Sequence, residues 1–235
     1  MKSKYGNNVI FAVGLIVFAF STAYSALQFE YSYEVSKSNE KELRVKVESS
    51  LNKVIISKGD KNAIFSVRYN NTDEETPEAR VSYKVHDNIG YLHIEINEDD
   101  EENHRWDMKY NPHSYLAPKV FYVTLNNSIP MRLDMHLGAG YSKVDMTGLL
   151  LKDVRLETGA AETVVMCNEL NPIVMENFKI DAGLSKFHAY NIGNTNFKNL
   201  YFEGGVGSYF FDFSGSLRRE AFIRMELGLG SMSMV

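Results

Sequence analysis

The sequence predicts an all-β protein whose second half stacks as a β-solenoid, and three observations carry the prediction. Periodic stretches alternate apolar and polar residues with period two, as in Leu43, Val45, Val47 and again in Val54, Ile56, which is strand spacing. No window of useful length repeats at the ~3.6-residue spacing of a helix. A glycine-containing pattern recurs five times after Met131, at a period in the twenties that marks stacked repeats.

Composition narrows the function classes. With 44% hydrophobic and 23% charged residues in 235, the chain has an ordinary folding composition, which excludes disorder, collagen and coiled coil. Twenty-five Lys and Arg against 30 Asp and Glu leave a net charge of -5. That balance gives no electrostatic footprint for a phosphate backbone or an anionic lipid surface, so nucleic acid is not an expected partner. The one cysteine, Cys167, can form neither an intrachain disulfide nor a cysteine zinc cage.

The elements follow in order. Lys2 and Lys4 precede an apolar run from Val9 to Phe20, and Ala23-Tyr24-Ser25 offers small residues ahead of Ala26. Residues 1–25 read as a secretory signal peptide; the alternative is an uncleaved membrane anchor over residues 9–27, approaching the ~20 apolar residues that span a bilayer. No cysteine follows the run, so lipid modification there is excluded. The remainder is expected to be exported, periplasmic or extracellular, touching a membrane only through that segment. Residues 26–130 form an N-terminal β region with turns at Lys58-Gly59-Asp60, Asn70–Pro77, Asp87–Gly90 and Asn126–Pro130. Within it, Asn97–Pro118 breaks the alternation with an acidic run, Glu98–Glu102, and then His104, Arg105, Trp106 and His113. Long irregular segments of this kind are functional or mobile.

Residues 131–235 carry the repeats. Aligned on the second small residue, positions 140, 161, 183, 207 and 230 are spaced by 21, 22, 24 and 23 residues. Four positions further fall Val144, Val165, Phe187, Phe211 and Met234, expected as an inward column, with Met146, Cys167, Ala189 and Phe213 two residues beyond. Cys167 is therefore expected to be an inert core residue. Ahead of the glycines, Leu133 and Met135, Val154 and Leu156, Phe178 and Ile180, Leu200 and Phe202, and Ile223 and Met225 supply a second inward wall. An earlier copy, Val47–Val54, lines up with Leu137–Val144. Glycine suits the corner between the walls, where a Cβ would hinder a close backbone approach.

Outward positions give two candidate surfaces. Glu157, Asp181, Glu203 and Glu226 form a carboxylate ladder with His136 in the first turn, beside a basic column of Arg155, Lys179 and Arg224. The ladder reads as a solvated face, with divalent cations as the sharper alternative. Tyr141, Val164, Met166, Leu184 and Phe210 form either a candidate exposed apolar patch of the kind that marks a partner surface or a face covered by the Asn97–Pro118 segment or the N-terminal strands. Apolar alternation still runs at Ser231–Val235, which leaves either residues beyond Val235 or an open strand edge that pairs with another copy or a partner strand.

Several of these segments resemble a known family. Val120–Leu125, the Ser128-Ile129-Pro130 turn, Met131–Leu151 with Gly138-Ala139-Gly140, and Val154–Ala161 resemble the toast-rack domains of the LiaF-like cell-wall-active-antibiotics-response proteins and related adhesin families. The resemblance spans about Leu43–Val235. It implies a right-handed single-stranded β-helix-like fold outside the membrane and, for members with a multi-helix membrane module, a role in sensing envelope stress. This chain has a single apolar segment.

Catalytic chemistry finds little support. None of His86, His93, His104, His113, His136 and His188 has the i, i+4 spacing of a helical zinc protease. Gly205-Val206-Gly207-Ser208 is not a nucleophile elbow, and Gly228-Leu229-Gly230 has no helix after it to hold a phosphate. Glu98–Glu102 lacks the order of a calcium loop. Paired carboxylates for glycoside hydrolysis are the weakest of the three function classes considered. The expected function is a non-enzymatic binding or scaffolding module of the cell envelope without a cofactor, recruiting a protein partner or its own copies through the exposed face or the C-terminal edge. The second class is an envelope-stress sensor.

Overall fold

A computed structural model describes residues 18–20, 28–71, 79–96 and 119–235. The signal or anchor segment falls almost wholly outside them, and Asn97–Pro118 falls wholly outside. Among the described residues thirteen strands form one sheet: β1 (Phe18–Phe20), β2 (Gln28–Ser36), β3 (Glu42–Lys58), β4 (Ala63–Asn71), β5 (Ala79–His86), β6 (Ile89–Ile96), β7 (Val120–Leu125), β8 (Met131–Asp145), β9 (Leu151–Thr158), β10 (Ala161–Met166), β11 (Met175–Tyr190), β12 (Phe197–Phe211) and β13 (Phe222–Met234). No described segment is α-helical, as the period-two alternation predicts.

The long strands β3, β8, β11, β12 and β13 are rungs of a parallel stack. Each has two arms. The first arm of β8 pairs with β9 and its second arm with β10, so β9 and β10 together make one further rung, and β11 receives both. On the N-terminal side, β6 lies along the first arm of β3 and β7 along the second. Those two strands are therefore the halves of a rung interrupted at its corner. The hairpin partner β5 then extends the first wall, and β4, β2 and β1 extend the second in antiparallel order.

Both walls point their alternate residues at one core. In the first wall the columns Leu92–Val45–Leu133–Val154–Phe178–Leu200–Ile223 and Ile94–Val47–Met135–Leu156–Ile180–Phe202–Met225 run unbroken through the stack. All are buried except the last member of each, on β13. The pairs expected from the sequence, Leu133 with Met135 through Ile223 with Met225, occupy those places. Aromatic rings fill the far half of the core, with Phe187, Phe202, Tyr209 and Phe211 in mutual contact at 4.8–6.1 Å between centroids, offset and edge-on as ring quadrupoles prefer.

The second wall corrects the expected alignment. Val165 pairs with Val144 and with Ala189, Ala189 with Phe211, and Phe211 with Met234. Phe187 sits one inward position earlier, between Thr163 and Tyr209, so Ala189 takes its place beside Val165 rather than standing beside Cys167. The cause is Gly183. It stacks over Gly159 in the first small row rather than beside Gly207 in the second, where the buried Ser185 stands instead. The shift is two residues, which preserves the face, and Phe187 is fully buried as expected. The early copy slips likewise: Val47 pairs with Met135 and Ile56 with Val144. Met234 points along the core column but is 57% exposed, because β13 has no described neighbour on its outer side.

The loops that return each rung from second wall to first are held by asparagine side chains. Asn171 donates to the Leu151 and Thr195 carbonyls at 2.8 and 3.1 Å, and Asn196 donates to those of Asn171 and Ile173. Buried loop carbonyls are thus satisfied where no ladder partner is available.

Candidate binding surface

The outer face of the first wall carries the charge. In register, Glu95, Glu48, His136, Glu157, Asp181, Glu203 and Glu226 form one column across seven strands. The expected four-carboxylate ladder is therefore present and extends through His136 to Glu48 on β3 and Glu95 on β6. Beside it run His93, Lys46, Asp134, Arg155, Lys179, Tyr201 and Arg224. Lys46 pairs with Glu48 at 2.7 Å, Arg155 with Glu157, and Arg224 with Glu226. His136 bridges Asp134 and Glu157 at 3.2 and 2.7 Å. The Lys46 hydrogen bond holds the Glu48 carboxyl below the usual glutamate range. The middle of the ladder is less well matched. Asp181 is 4.0 Å from Arg155, Lys179 lies over the Tyr201 ring instead, and Glu203 has no ion-pair partner among the described residues.

A concavity of about 660 Å³ lies farther out on this wall, lined by Arg44, Lys84, Arg132, Arg155 and Lys179 among others. Its main cation is occupied: Arg132 binds both Glu42 and Asp153, and Lys152 reaches Glu42 at 2.5 Å. The Lys152 hydrogen bond, with that of Arg132, lowers the Glu42 pKa against the opposing effect of burial. The geometry is that of a cross-strand ion-pair network.

The corner between the walls is where backbone sterics dictate sequence. Ser50, Gly138, Gly159, Gly183, Gly205 and Gly228 stack so that a Cβ on any of the glycines would meet the carbonyl oxygen one rung below, at 2.5–3.3 Å. A second small row contains Asn52, Gly140, Ser185, Gly207 and Gly230. Gly230 has φ 137°, outside the range L side chains readily adopt, and its Cβ would collide with the Gly207 carbonyl. Between the two rows a single residue per rung projects outward. Leu51 pairs with Ala139, Ala160 follows between Gly159 and Ala161, and Leu184, Val206 and Leu229 are consecutive partners. These form an apolar ridge, 48% exposed at Leu51, 65% at Leu184, 49% at Val206 and 70% at Leu229. Shallow grooves of about 540 and 560 Å³ separate the ridge from the carboxylates, floored by glycine backbone.

The expected apolar patch does not come together as one surface. Leu184 belongs to the corner ridge. Val164 and Phe210 flank His188 in one outer column of the second wall, Met166 pairs with Tyr190 in the next, and Tyr141 lies under the Lys53 ammonium in a third. All four are half-buried rather than exposed. The Phe210, His188 and Tyr190 rings pack at 5.4–6.1 Å and cover one another.

Cys167 is 1% exposed, burial pushes its thiol up to about 12, and its Sγ donates to the Glu169 carbonyl at 3.2 Å. Among the described residues no group of three or more His, Cys, Asp or Glu side chains is placed to share a metal ion.

A bent parallel stack with a glycine corner and asparagine-stitched returns defines an all-β class of repeat protein. This chain belongs to the family described as the N-terminal domain of toast_rack, DUF2154, whose model matches residues 24–186. Among solved structures it is similar to a "putative cell adhesion protein" from Clostridium sporogenes ATCC 15579, at 16% identity over 87% of this chain and 97% of that one, with a TM-score of 0.57. A "putative adhesin" from Bacteroides fragilis NCTC 9343 aligns at 12% identity over 90% and 98% of the two chains, with a TM-score of 0.34. Only the first bears on the fold. No curated protein matches the chain.

Proposed function

We infer that the protein is a non-enzymatic, adhesin-like binding and scaffolding module of the cell envelope, exported and held outside the membrane, whose rungs wind as a right-handed β-solenoid. The observation that carries the scaffolding role is β13. It pairs with β12 on one side and has no described partner on the other, and it leaves Ile223, Met225, Met232 and Met234 at the end of core columns that are buried on every earlier rung. An edge with no partner among the described residues, beside a core end that those residues leave open, favours strand addition, since both backbone groups and apolar area are satisfied together. The family and the fold likeness support the same reading.

The occupant of that edge is a second copy of the chain. Pairing two β13 strands antiparallel about the corner sets the first arm of one against the second arm of the other. Ile223 then faces Met234, and Met225 faces Met232, with like faces aligned. Such a contact is isologous and closes at two chains. Light-scattering mass of the full chain over a concentration series should show monomer giving way to dimer, and Ile223→Lys with Met234→Lys should hold it monomeric. Equal mass for both proteins at every concentration would overturn the scaffolding role.

A further inference from the structure

We propose that the corner ridge is a docking site for a basic amphipathic helix of a protein partner. The inference deepens the reading of the chain as a binding module but does not depend on assembly through β13. An aliphatic side chain about half exposed or more is ordinary when isolated; a file of them on consecutive rungs is not. Leu184, Val206 and Leu229 stand in register on β11, β12 and β13, bordered by glycine or serine on both sides. Among the described residues only glycine and serine border them along the strand, so a ligand can reach their exposed sides.

Two features choose the occupant. Neighbouring rungs are ~4.8 Å apart and successive turns of an α-helix rise ~5.4 Å, so a helix laid along the ridge offers one apolar residue per rung over this length. The flanks are unequal in charge. On the first-wall side, Asp181, Glu203 and Glu226 lie three residues ahead of Leu184, Val206 and Leu229, and the first two are the least neutralised members of the ladder. On the second-wall side, Lys186 is paired with Glu162, and Ser208 and Ser231 are neutral. The complementary segment has an apolar stripe with Lys or Arg along one border, reaching across the groove of about 560 Å³ that Asp181, Gly183, Glu203 and Gly205 help to line. An anionic lipid surface would set its phosphates against these same carboxylates, which is why a protein segment is favoured.

The test is fluorescence anisotropy of a labelled 18-residue Leu/Lys amphipathic helical peptide titrated with the full chain. Binding should weaken as salt is raised, and a Leu/Glu peptide of the same pattern should not bind. Leu184→Ser with Val206→Ser, and separately Asp181→Asn with Glu203→Gln, should each lower affinity at least tenfold; these residues are on the surface, and circular dichroism should show the fold kept. Glu34→Gln with Glu220→Gln makes the same charge change away from the ridge and should leave affinity unchanged. Equal loss in that control, equal binding of the Leu/Glu peptide, or ridge-dependent binding to phosphatidylglycerol vesicles in place of the peptide would each overturn the proposal. The Ile223→Lys, Met234→Lys protein should bind the peptide normally, so failure of dimerisation and failure of the ridge are read separately.

Discussion

Glu42 shows how a single carboxylate joins three strands. It accepts from Lys152 and Arg132, and Arg132 in turn reaches Asp153, so one side chain on β3 is tied to β8 and to the start of β9. Because these partners lower its folded-state pKa, the carboxylate stabilises the fold above the ordinary glutamate value of 4.5. That contribution is lost as pH falls through the depressed folded value. Glu42→Gln should therefore lower stability by about 1 kcal/mol at neutral pH, the scale of a partly exposed pair, and the gap should close on acidification below pH 4. A gap that stayed constant from pH 7 to pH 3 in urea melts would show that the network contributes nothing through charge.

At the scale of the strand, cross-linking reads the register of β10 against β11. In a Cys167→Ser background, cysteines at 165 and 189 should oxidise to a disulfide, because Val165 and Ala189 are direct partners, whereas cysteines at 165 and 187 should not. The reverse result, read by mass, would restore the glycine-based alignment. Alternation made the faces legible in the sequence: Val154, Phe178 and Leu200 had to be inward together, and the glycines had to mark a bend. Which glycine belonged to which row was not legible, because either small row tolerates more than one residue type, as Ser185 shows. The charged ladder was readable because its members share a fixed distance from the corner. The ridge was less so, since Leu184, Val206 and Leu229 look in one dimension like ordinary strand interior.

For the whole molecule, the parallel ladder makes stability a nearest-neighbour property. The β8 rung is covered on both sides, while β13 is covered on one and its residues are mostly exposed. Hydrogen exchange should therefore be slowest around β8 and fastest in β13, with β13 gaining protection as protein concentration rises if the second copy docks there. Uniform protection from β8 to β13 in dilute protein would mean that the stack opens as a single cooperative unit.

The divided rung of β6 and β7 has an evolutionary consequence. Ile96 still faces Ser49 and Val120 still faces Lys53, so both arms keep their pairing up to the bend. The bend is thus a splice point, where a lineage can graft new sequence without re-solving the packing of the arms. Every other rung has a bend at the same place. A protein of this architecture can diversify sideways at each of them while its core stays the same, and so acquire new recognition segments without becoming a new fold.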